Sequence, residues 1–114
     1  MKFSIPWAPP SNNVALRSHW IKRARLNRTA AAYIVQAIGK PRQVASGRVS
    51  VTIQMHRKRS MDHDNLWGAS KCIFDSIVKL GWAVDDSPKW MEQQVLPVDV
   101  TRSEPWTDIS IESS

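Results

Sequence analysis

The stretch Val49-Ser50-Val51-Thr52-Ile53-Gln54-Met55-His56 places an apolar residue at every second position, the period of a strand that buries one face. Arg57-Lys58-Arg59 follows at its end. Over residues 64–80 the period changes. Leu66, Ile73, Ile77 and Leu80, with Ala69 and Ser70, recur at helical spacing, so a helix with one core-facing stripe is predicted. Gly81 is placed to end it. A strand that runs through a basic turn into a long helix puts sheet and helix on one core.

Upstream, residues 2–7 alternate Lys2 and Ser4 with Phe3 and Ile5 and read as a short strand closed by Pro6. Pro9-Pro10-Ser11-Asn12-Asn13 stops it, because proline removes backbone donors and Ser and Asn favour turns. Residues 29–39, with Ala31, Tyr33, Ile34, Ala37 and Ile38, suggest a helix ended by Gly39 and by Pro41 beyond it. Downstream, residues 90–101 and 106–111 show partial alternation of β-branched and aromatic residues around Ser103-Glu104-Pro105, so a terminal hairpin is predicted. The expected order is βαβαββ, an α+β fold with a mixed sheet covered by two helices.

The chain of 114 residues suffices for one core and one domain, residues 1–114, with no linker inside it. Its 42% apolar content and six tryptophans mark it as folded rather than disordered. Cys72 is the only cysteine, which excludes an intrachain disulfide and a cysteine-based zinc site. No run of about 18 apolar residues offers a membrane span, and the opening residues are too short and proline-broken for a signal peptide. The expected compartment is a reducing cytoplasm.

The net charge of +6 is unevenly spread. Residues 1–61 hold twelve Lys and Arg and no acid, whereas residues 62–114 hold four Lys and Arg against ten acids. Such a division is either a solvated basic face or a phosphate-binding surface beside an acidic site.

That acidic site begins at Asp62-His63-Asp64-Asn65 and continues through Lys71, Asp75 and Asp85-Asp86. Two carboxylates at ~4 Å in an effective dielectric of ~20 repel by about 4 kcal/mol, so a cation is expected among them. Mg²⁺ suits, being held by one or two carboxylates, waters and phosphate oxygens. Asp64 has an alternative role as a helix N-cap, and Asn65 could cap too. Lys71 lies seven residues after Asp64, a rotation of about 700°, and so shares its helix face. Asp75 shares it as well. Lys71 could therefore reach a phosphate, or pair with Asp75 one turn on. Asp85-Asp86 alone reads as a solvated turn unless the fold returns it to Asp62. His19, His56 and His63 lack a second ligand at a zinc spacing and read as surface or base-contacting residues. Trp67, Trp82, Trp90 and Trp106 read as core or dimer surface, while Trp20, inside the basic run, could stack on an unpaired base.

Three motifs occur in order: Pro9-Pro10-Ser11-Asn12-Asn13; Asp62-His63-Asp64-Asn65-Leu66; and Lys71-Cys72-Ile73-Phe74-Asp75-Ser76-Ile77 followed by Gly81-Trp82 and Asp85-Asp86. Together they resemble the RusA family of small Holliday junction resolvases, common in phages and prophages. The resemblance implies a homodimeric, Mg²⁺-dependent endonuclease, with Mn²⁺ a substitute, that nicks opposed strands of a four-way DNA junction. By position, Asp62, Asp64 and Asp86 look like the catalytic, metal-holding carboxylates, and Lys71 like the catalytic lysine. The founding member has its lysine one turn after the second aspartate. Here Gly68-Ala69-Ser70 intervenes, which moves the lysine about 4.5 Å along the axis on nearly the same face. DNA contacts are expected from Asn12, Asn13, Arg17, Lys22, Arg23, Arg57, Lys58, Arg59 and Asn65. The competing functions are a basic nucleic-acid-binding protein without catalysis and a broader branched-DNA or flap endonuclease.

Overall fold

Strand β2, Val49–Arg57, is the centre of the sheet in a computed structural model of the chain, which describes residues 1–10 and 20–114. Its alternation is realised: Val49, Val51, Ile53 and Met55 are buried, while Ser50, Thr52 and Gln54 are half-buried on the other face. The remaining elements in chain order are β1 (Lys2–Ile5) and α1 (Trp20–Ile38) before it, then α2 (His63–Lys79), β3 (Met91–Val95), β4 (Asp99–Val100) and β5 (Trp106–Ser113) after it. The sheet runs β1-β5-β2-β3, with β4 also paired to β2. It is mixed: β5 is antiparallel to both β1 and β2, whereas β3 and β4 are parallel to β2. The fold is α+β, as the periods imply.

One core joins the layers. Ile34 and Ala30 of α1, Leu66, Ile73 and Ile77 of α2, and Ile5, Met91, Ile109 and Ile111 of the flanking strands pack with the odd-numbered residues of β2. The Cα radius of gyration is 13.4 Å, against about 13 Å for a single compact domain of this length. Between the helices, the single proton of the Ser76 hydroxyl is shared between the Cys72 carbonyl at 2.7 Å and the Asn27 carbonyl at 3.1 Å. Cys72 is buried, as a small hydrophobe should be, and burial, with the Asp75 charge, pushes its thiol up to about 12. It is inert as a nucleophile at neutral pH.

Two expectations are corrected. The first helix begins at Trp20 rather than near residue 29. The basic segment between them contains no Gly or Pro, and its Arg, Lys, Leu and Ala residues are good helix formers. The C-terminal strands do not form a hairpin with one another. β3 takes one edge of β2, and β5 takes the other. A β3–β5 hairpin would leave an edge of the most buried strand without hydrogen-bond partners. The run expected over residues 90–101 is also broken at Leu96-Pro97-Val98, where three steps along β2, from Ile53 to His56, face four steps from Val95 to Asp99. Proline within that edge has no N–H to give the ladder, and one extra residue is accommodated there as a bulge.

Candidate active site on helix α2

Helix α2 starts directly after the basic turn, and Asp62 is its N-cap. One carboxylate oxygen accepts the Asn65 backbone N–H at 2.9 Å, and the other accepts the Asn65 side-chain N–H at 2.9 Å. The capping residue is therefore Asp62 and not Asp64 or Asn65. An extended backbone at Asp62, ψ 167°, aims its side chain back at the first turn, which is the geometry a cap requires. Asp64, exposed in that first turn, complements the positive end of the helix dipole. Each Asp62 oxygen keeps acceptor capacity beyond the bond it makes to Asn65.

Lys71 is exposed on α2, and Asp75 is half-buried one turn further on. Burial raises the Asp75 pKa above its usual range; Lys71 opposes this, Asp86 adds to it, and the Asn27 side chain and Arg23 of α1 oppose it again. Three charged groups and one neutral amide thus act on one carboxyl: Lys71 on its own helix, Asp86 from the turn after it, and Arg23 with the polar Asn27 from α1. The turn holding Asp86 is tied down by the Gln93 side chain, which donates to the Asp86 carbonyl at 3.2 Å. The fold does return the second acid of Asp85-Asp86 to the helix, but beside Asp75. Asp75 lies thirteen residues after Asp62, about 20 Å along a helix axis. Among the described residues no three His, Cys, Asp or Glu side chains are grouped to hold a metal ion.

The basic residues frame this helix unequally. Lys22 and Arg23 are exposed on α1, and Lys58 and Arg59 on the turn between β2 and α2. Arg57 is half-buried, and desolvation lowers its pKa while leaving the guanidinium charged. Lys58 lies 4.0 Å from Glu104, an exposed pair of little energetic weight. Asn12, Asn13, Arg17 and His19 lie outside the described residues. Trp67 and Trp82 pack on the core, as expected of them. No helix among the described residues is long and apolar enough to cross a membrane.

One cluster escaped the reading of the sequence. His56 is neither a surface residue nor available to a base: it is 9% exposed, and both ring nitrogens face carboxylates. Nδ1 is 2.8 Å from Asp99 Oδ2 and Nε2 is 2.7 Å from Asp108 Oδ2. Trp106 stacks on the ring at 4.0 Å between centroids and 7° between planes. The Ser4 hydroxyl donates to the other Asp108 oxygen at 2.5 Å. The one available signal was the polar residue ending an alternating strand; its partners lie more than forty residues away. No family model matches this chain, and no curated protein matches it.

Proposed function

We propose that this chain is a Mg²⁺-dependent endodeoxyribonuclease that acts as a homodimer on four-way DNA junctions, in the manner of the RusA-type resolvases its motifs resemble. One observation supports this most. Asp62, Asp64 and Lys71 lie along a single helix that leaves the sheet through an exposed basic turn, and Asp86 folds back toward the same helix.

The donor set fits a hard divalent cation in part. Asp62 and Asp64 supply the carboxylate oxygens Mg²⁺ takes, and its remaining positions are ordinarily filled by water and substrate phosphate. Held there, the ion would supply an activated water and charge stabilisation at the leaving oxygen, while Asp86 stands toward Asp75, further along the helix. Asn65, through its two hydrogen bonds to Asp62, orients that carboxylate. Lys71 offsets negative charge gathering on the phosphate. Lys22, Arg23, Arg57, Lys58 and Arg59 bind the flanking backbone by charge, so affinity falls as salt rises. A two-fold dimer would present two such sites to a junction of similar symmetry.

A second reading has its own support. Asp62 is fully explained as an N-cap, and no three-carboxylate group is assembled among the described residues. On that reading the protein binds nucleic acid without cutting it. A gel assay on a synthetic four-way junction, with and without Mg²⁺, separates the two. Nuclease action predicts metal-dependent nicking that Asp62→Asn lowers about 100-fold or more while binding persists. Salt-sensitive binding with no nicking in any metal would establish the second reading. Flap and duplex substrates at matched salt distinguish a junction enzyme from a broader one.

A further inference from the structure

The His56 cluster joins four strands at one level of the sheet. His56 is the penultimate residue of β2, Asp99 begins β4, Asp108 lies on β5 and Ser4 lies on β1. A neutral imidazole has one N–H and one lone pair. It can satisfy one of the two carboxylates and must turn a lone pair toward the other. Only the imidazolium donates to both, and the 2.8 and 2.7 Å separations are those of charge-assisted hydrogen bonds. The face of Trp106 against the ring also favours the cation. Asp99 and Asp108 are the charged groups that face His56 from the elements packed on it, and β1 contributes only the Ser4 hydroxyl.

The element this arrangement holds is otherwise weakly attached. β4 is two residues long, pairs with β2 alone, and is separated from β3 by the bulge at Pro97. Its register with β2 is His56 to Asp99 and Arg57 to Val100, and the Thr101 N–H donates to the Arg57 carbonyl at 2.8 Å. Val100 is 60% exposed, so little apolar burial secures β4 itself, and the nearest apolar anchor is Val98, packed on the core just before it. Such short, solvent-facing pieces open locally at small free-energy cost.

We propose that His56 is a protonation-dependent latch: as an imidazolium it fastens β4 and the turn leading to β5 onto the end of β2, and on losing its proton it releases that segment. The released backbone adjoins Arg57, Lys58 and Arg59, so the latch also governs how firmly the basic turn is seated. The inference stands apart from the nuclease reading and would hold for a protein that only binds nucleic acid.

Burial alone lowers the His56 pKa, but the hydrogen bonds to Asp99 and Asp108 and the charges of both outweigh it, so the net direction is upward from 6.5. The folded chain then keeps the proton longer than the unfolded chain. The stabilisation is complete below the unfolded value and is lost as pH rises through the folded one.

The test is an NMR titration of the full chain from about pH 5 to about pH 9. Imidazole ¹⁵N shifts report the state of His56, and amide exchange, corrected for its intrinsic pH dependence, reports Thr101 and the central residues of β2. Protection at Thr101 should fall about tenfold or more with the His56 midpoint, while β2 is unchanged. Asp99→Asn, at an exposed position, introduces a carboxamide that can either donate to Nδ1 or accept from it, so in this variant Thr101 protection should no longer follow the titration. Protection at Thr101 that ignores the His56 midpoint in the wild type, or that follows it equally in Asp99→Asn, would overturn the latch.

Discussion

Asp62 carries two roles that two substitutions separate. As an N-cap it needs only an oxygen acceptor, whereas holding a cation needs its charge. Asp62→Asn should therefore leave the unfolding free energy measured in urea within a few tenths of a kcal/mol, and Asp62→Ala should cost about 1 kcal/mol. If cleavage falls equally in both, charge and not capping is what the reaction requires. The pairing Asp62 and Asp64 was legible because two residues across a strand-to-helix junction are a local relation. The roles were not: whether Asp62, Asp64 or Asn65 caps the helix turns on a single backbone angle, ψ 167° at Asp62, that residue types do not specify. Asp75 shows the same limit. Its place on the Lys71 stripe followed from spacing, but its half-burial and the approach of Asp86, Arg23 and Asn27 depend on how α1 and the following turn pack.

Among the elements, α2 was the most legible. Its predicted core stripe is buried at Leu66, Ala69, Ser70, Ile73 and Ile77, and it ends at the predicted glycine. Gly81 has φ +95°, its N–H donates to the Val78 carbonyl, and the Trp82 N–H donates to the Ile77 carbonyl, the paired bonds of a Schellman ending. A Cβ at Gly81 would also stand 2.9 Å from Val44 Cγ1. Gly81→Ala should destabilise by about 1–2 kcal/mol from backbone conformation, with the Val44 contact adding to it, seen as a lower denaturant midpoint at unchanged slope. Helix α1 was less legible because its N-terminal half carries charge where an apolar period would announce it, although its propensities were favourable. The strands after α2 were recognised as strands, but their pairing was not. A period of two states which face is buried and says nothing about which neighbour lies at the edge.

At the scale of the molecule, the uneven charge becomes a surface. The acid-free half ends in the Arg57–Arg59 turn, and the acidic half begins at the N-cap of α2. If the exposed members of that turn contact phosphates, Arg59→Ala should weaken binding about equally across DNA sequences and reduce the slope of log K against log salt by about one. Titrating binding at several salt concentrations measures this, and an unchanged slope would remove Arg59 from the interface. Read alone, the sequence determined the strand and helix periods, their stops at Gly39 and Gly81, the single buried cysteine and the division of charge. Those are local relations, in which residues two, three or four apart already meet. The tertiary structure alone decided that β3 and β5 flank β2 rather than pair together, that Asp86 approaches Asp75, and that His56 sits between Asp99 and Asp108, 43 and 52 residues away in the chain. Contacts at that separation form only when the packed sheet brings the segments together, and no repeat in the chain records them.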